Sequence, residues 1–167
     1  MDKDDTSKPT QPETKALTTW LQNRTSIVYA TLHSGSLLVG YPYSERWSLD
    51  SDFSPTADDE LFRAMAKSYS KDHPTMWSGK PFCPGKEVHR TFKDGVVNIA
   101  TWEGHSMPLH DYNYAMNKGL GFAIYTGCCK APGPEELDRI WKSHKKAMMK
   151  FIRWVSLVSV INWTLFL

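Results

Sequence analysis

Cysteine is scarce in this 167-residue chain, and the three present, Cys83, Cys128 and Cys129, have neither CxxC spacing nor a neighbouring histidine pair. That argues against a structural zinc knot, which needs four closely spaced ligands. The use this leaves is one disulfide plus one buried thiol, which would place the protein in an oxidising compartment. Excess charge is missing too: 20 Lys and Arg against 18 Asp and Glu leave +2, and the basic residues are scattered, so nucleic acid is not an expected partner. No apolar signal region follows Met1, whose neighbours Asp2, Lys3, Asp4 and Asp5 are all charged. The apolar run at 154–167 is shorter than the ~20 residues of a spanning helix and carries Asn162.

What the chain does have is core material, 41% hydrophobic residues with seven Trp, enough for one folded domain. After a polar leader at 1–11, Pro12-Glu13-Thr14 opens a run with Ala16, Leu17, Trp20 and Leu21 on one face, predicting a helix over about 12–22. Ile27 to Leu32 and Ser36 to Tyr41 are apolar, predicting two buried strands with His33 at their junction. Thr56 stands three residues before Asp59 as a capping residue would, and Leu61, Phe62, Met65, Ala66 and Tyr69 continue at helical spacing to about Ser70.

His73 to Asp94 reads as a long loop. Val96 to Trp102 and Leu120 to Thr126 suit interior strands, with the polar stretch Asp111-Tyr112-Asn113-Tyr114 between them. His105 and His110 flank a loop in this reading and are expected to be solvated. Pro134 then begins a long helix with Leu137, Ile140, Trp141, His144, Met148, Phe151 and Ile152 on one face. Helices alternating with apolar strands indicate an α/β fold. Asn23-Arg24-Thr25 is a glycosylation sequon.

Six ordered motifs carry a family resemblance over roughly 10–153. They are Pro12 to Ala16, Leu32-His33-Ser34-Gly35-Ser36-Leu37 with Tyr41-Pro42-Tyr43, Asp58-Asp59, Ser68 to Lys71, Asp111 to Tyr114, and Gly127-Cys128-Cys129-Lys130 with Pro132. Together they resemble the N/E-type branch of the zinc metallocarboxypeptidases, and Ile124 to Cys129 resembles a catalytically inactive repeat of the carboxypeptidase D-like members. The implied architecture is a partial three-layer fold, the C-terminal half of an eight-stranded mixed sheet flanked by helices, over 12–153. Losing the first strands would expose a sheet edge and an apolar face.

In the family, zinc is held by an HxxE pair early in the domain and by a second His after a central strand. The resemblance assigns that second His to His33. Three residues after His33, His73, His89, His105, His110 and His144 stand Ser36, Met76, Phe92, Pro108, Asn113 and Ala147, none of them an acid. The upstream arginines that grip a substrate carboxylate have no counterpart among these motifs. Tyr114 matches the mobile tyrosine that closes over bound peptide, although Met107 and Pro108 replace the usual glycines. Ser44 matches the acid that selects basic residues in the substrate pocket. Tyr125 matches the general-base glutamate, and a phenol with a pKa near ~10 is a poor base at neutral pH. The resemblance also pairs Cys83 with Cys128 in a disulfide.

These assignments imply a truncated carboxypeptidase-family domain whose parents remove C-terminal, typically basic, residues from peptides with zinc. This chain is expected to be catalytically incompetent. Two other readings stand beside that one: a peptide- or protein-binding module without catalysis, and one part of an active enzyme. The resemblance implies a secretory location. The tail at 154–167 is read first as the exposed end of a shortened chain and second as a membrane contact preceded by Lys145, Lys146, Lys150 and Arg153.

Overall fold

The computed structural model describes residues 11–22, 28–46, 52–81, 90–102 and 108–164, with the backbone alone for 108 and 155–164. Its elements follow the α/β order expected from the sequence: α1 (Pro12–Gln22), β1 (Val28–His33), β2 (Ser36–Tyr41), α2 (Asp59–Asp72), β3 (Val96–Asn98), α3 (Pro108–Asn117), β4 (Leu120–Gly127) and α4 (Pro134–Thr164). The strands form one mixed sheet in the order β1-β4-β2-β3, with β4 parallel to β1 and antiparallel to β2, and β3 parallel to β2.

Only Ser34 and Gly35 link β1 to β2, yet β4 lies between those strands. The link must cross two strand spacings, about 10 Å. Three Cα–Cα steps reach about 11 Å, so the connection is nearly taut. Gly35 makes the corner at φ +101°, a region that side chains rarely adopt, and its N–H is held by the Gly127 carbonyl at 2.7 Å. His33 is fixed in place as the last strand residue before this corner.

The pleat of β4 divides the interior. Phe122 and Ile124 enter a cluster with Phe62, Met65 and Tyr69 of α2 and Ala147 and Phe151 of α4. Ala123 and Tyr125 enter a smaller cluster with Leu38, Phe92 and Ile99. Alternate residues of one strand thus feed two cores, as a period of two requires. Helices α2 and α4 are further joined by Asp72, which pairs with Lys146 at 3.0 Å and Lys150 at 2.7 Å.

Several expectations are corrected. Strand β1 is half-buried rather than buried, with Leu32 61% exposed, because it is an edge strand covered on one side by β4 alone. The strand expected over 96–102 stops at Asn98, and Ile99–Thr101 turns as a 3-10 helix. Asn98 diverts the chain: its amide donates to the carbonyls of Pro42 and Ser54 and its oxygen accepts from Ser54 N–H. Helix α2 is capped at Asp58 rather than Thr56, with no side-chain capping bond, since the Asp58 carboxylate is used by Tyr114. On α4 the buried residues are His144, Ala147 and Phe151, whereas Leu137, Trp141 and Ile152 are more than half exposed. The helix runs to Thr164, into the apolar segment at 154–167. The leader up to residue 10, the sequon, His89 and His105 lie outside the described residues.

Candidate functional site

Parallel pairing places His33 opposite Tyr125, and their rings stack at 5.0 Å with 24° between planes. Trp102 meets the other side of Tyr125 edge-on at 4.8 Å, leaving the tyrosine 6% exposed. The His33 Nε2 lies 2.8 Å from Thr31 Oγ1, which is also 3.0 Å from His110 Nε2. One hydroxyl proton cannot serve two imidazole acceptors, so at least one of these histidines presents its Nε2–H to Thr31.

His110 is fully buried, contrary to the solvated position expected for it. The stretch read as a loop is helix α3, and helical spacing turns His110, Asn113 and Tyr114 inward together. The imidazole stacks on Tyr29 at 5.1 Å and occupies the space above Gly121, where an added Cβ would meet Nδ1 at 2.4 Å. Burial, and then the neighbouring His33, lowers its pKa to about 4.

Ser44 is 1% exposed, and its surroundings are not those of an open pocket floor. Its N–H and hydroxyl both donate to the Asp111 carboxylate, at 2.9 and 2.8 Å, and Glu45 N–H adds a third donor. Desolvation nevertheless raises the Asp111 pKa, with those donors opposing it. A carboxylate therefore stands beside Ser44, contributed by α3. Sequence reasoning missed it because the pair is separated by 67 positions and Asp111 had been read only as part of a polar motif.

Tyr114 is 5% exposed, and its hydroxyl donates to Asp58 Oδ2 at 2.7 Å. Its ring packs edge-on against Tyr43 and Phe62. A closing motion over peptide would require this residue to leave a carboxylate and two aromatic neighbours. Cys129 carries an exposed free thiol, correcting the expectation of a buried one, whereas Cys128 is not free. Cys83 lies outside the described residues.

A second histidine group was not singled out from sequence. His144 Nε2 faces the Thr126 carbonyl at 3.1 Å and must donate to it, so its Nδ1 accepts from the Tyr69 hydroxyl at 2.9 Å. His73 Nδ1 accepts from the backbone N–H groups of Thr75 and Met76, which leaves the proton on Nε2. The two rings lie 4.3 Å apart, and His73 borders a cleft of about 980 Å³ shared with Lys80, Cys129, Arg139 and Ser143.

Residues 2–147 match the sequence model for zinc carboxypeptidases. The chain belongs to this family. It is 36% identical over 143 residues to carboxypeptidase D of Anas platyrhynchos and 34% identical over the same length to that of Homo sapiens, each match covering 84% of this chain and 10% of the relative. Similarity to the carboxypeptidase N catalytic chain of Rattus norvegicus is 33% over 153 residues, covering 87% of this chain and 32% of that one. The chain thus spans about a tenth to a third of these relatives' lengths.

The family implies zinc, and the described residues do not fit a catalytic zinc site. Such a site takes three protein ligands with an open position. Among the described residues no three His, Cys, Asp or Glu side chains come together, and His33, the implied ligand residue, has its Nε2 turned to a threonine hydroxyl.

The His73 environment has a measurable consequence. Burial, and then the His144 charge, hold its pKa at about 4, against ~6.5 when unfolded. Between those values the unfolded chain binds more protons, so this contribution to stability is complete above ~6.5 and declines as pH falls toward 4. We predict that wild type loses about 2 kcal/mol more than His73→Asn between about pH 7 and about pH 5 in urea unfolding. Equal pH dependence of the two proteins would contradict a buried, neutral His73.

Proposed function

We propose that this chain is a non-hydrolytic member of the zinc carboxypeptidase family. The observation that carries the reading is Tyr125, whose phenol stands opposite His33 on the adjoining strand, 5.0 Å ring to ring. By resemblance, this strand position belongs to the carboxylate that takes a proton from the attacking water. A phenol titrates near ~10, about three units above the range in which a base is useful at neutral pH. Burial between His33 and Trp102 offers no means of ionising it.

The parent reaction, release of a C-terminal basic residue, needs further parts. Ser44 stands where the resemblance puts a selecting acid, and the nearby Asp111 is already occupied by three protein donors. Incubated with zinc and a peptide ending in Arg, the purified chain is expected to release no free arginine. The Tyr125→Glu variant should remain inactive, since it supplies a base without completing the ligand set. Chelator-sensitive arginine release by the wild-type chain would overturn the proposal.

An oxidising, secretory location and a Cys83–Cys128 disulfide belong to the same reading. In its support, Cys129 is free and Cys128 is not. The bridge would contribute about 3–4 kcal/mol in the chain-entropy model. Alkylation in denaturant should label one thiol before reduction and three after. Labelling of all three before reduction would remove the bridge.

A further inference from the structure

Helix α4 presents two adjoining surface stripes that the carboxypeptidase reading does not use. From Arg139 to Leu167 the chain has six basic residues and no acid. At about 100° per residue, Lys142, Lys145, Lys146, Lys150 and Arg153 fall within an arc of about 140°, opposite the buried His144, Ala147 and Phe151. Basic residues that look scattered along the sequence are gathered by the helix. Next to this stripe runs an apolar one formed by Leu137, Trp141, Met148 and Ile152, of which Leu137, Trp141 and Ile152 are 54%, 51% and 58% exposed.

The apolar stripe is continuous with the edge of the sheet. Leu32 of β1, 61% exposed, joins Leu137, Ile140, Trp141 and Met148 around a groove of about 770 Å³, with Lys130 at its margin. The helix then continues past Trp154, the last residue with a described side chain, to Thr164 through a sequence without a single charge. From Trp154 to Thr164 the helix measures about 16 Å, comparable to half of the ~30 Å hydrocarbon layer. Among the described residues no helix is long and apolar enough to cross a membrane.

We propose that the outer face and end of α4 form a docking surface for a lipid bilayer bearing anionic headgroups. An apolar stripe that contains Trp141 and is flanked by lysines is the arrangement that seats a helix at a membrane surface. The charge complementarity selects this occupant. A second copy docked face to face would bring one basic stripe against another, whereas phosphatidylserine headgroups neutralise it. Lys142 is paired with Asp138, and Lys146 and Lys150 with Asp72. Lys145, next to the apolar stripe, and Arg153, within the basic one, are both exposed and are the charges to test.

Vesicle flotation tests the proposal, because aggregated protein stays at the bottom of the gradient while vesicle-bound protein rises. The full chain should float with vesicles of three parts phosphatidylcholine to one part phosphatidylserine, and should be released by high salt. Lys145→Gln with Arg153→Gln should weaken partitioning about thirtyfold, at about fivefold per charge. Trp141→Asp with Ile152→Asp, at exposed positions that leave the far-UV spectrum unchanged, should abolish it. Failure to float, or equal flotation with phosphatidylcholine alone that is indifferent to Lys145 and Arg153, would overturn the proposal. So would a defined dimer that dissociates in the Trp141→Asp, Ile152→Asp protein, since that would assign the surface to a second copy.

Discussion

Strand β4 lies between β1 and β2 and holds both in opposite directions. Its even-numbered residues Phe122 and Ile124 anchor the α2–α4 core, and its odd-numbered residues Ala123 and Tyr125 anchor the smaller one. Gly121, near its start, leaves the space in which His110 sits. The taut Ser34–Gly35 corner exists because β4 separates the strands it joins. Removing β4 would leave β1 without a partner, the two cores without their shared wall and His33 without the ring it stacks on.

The chemistry near His33 follows from that arrangement. Residues facing one another across a parallel ladder are fixed by register, so whatever side chain occupies position 125 confronts the imidazole at position 33. A carboxylate there could exchange protons at neutral pH. A phenol instead contributes ring stacking and is held between His33 and Trp102. The hydroxyl of Thr31, between two imidazoles, further engages Nε2 of both His33 and His110. These side chains form a layer of stacked rings around one shared hydroxyl.

Much of the fold was legible because its signals were periodic. Helix α1, strand β2 and the body of α2 appear where spacing placed them, since each depends on a repeat of apolar residues in a short window. Helix α3 was not legible as a helix, because Asp111, Tyr112 and Asn113 are polar and its inward face is made of His110, Asn113 and Tyr114, residues whose burial depends on distant partners. Strand β3 was overestimated for a related reason: the apolar run continues past Asn98, but three hydrogen bonds from that side chain turn the backbone. The site divides the same way. His33 and Tyr125 could be named from motif order, whereas the Asp111–Ser44 contact and the His73–His144 pair join residues 67 and 71 positions apart, beyond any local pattern. The stripes on α4 were half visible, since helical spacing identified the apolar residues but could not say which face the core would cover.

The central claim is that the His33–Tyr125 layer does not hold catalytic zinc, and titration of zinc into the chelator-stripped full chain, followed by calorimetry, tests it most directly. The account predicts no stoichiometric binding, and the same result for His33→Gln, because among the described residues His33 lacks two companion ligands. One-to-one binding that a chelator reverses and that His33→Gln abolishes would contradict it.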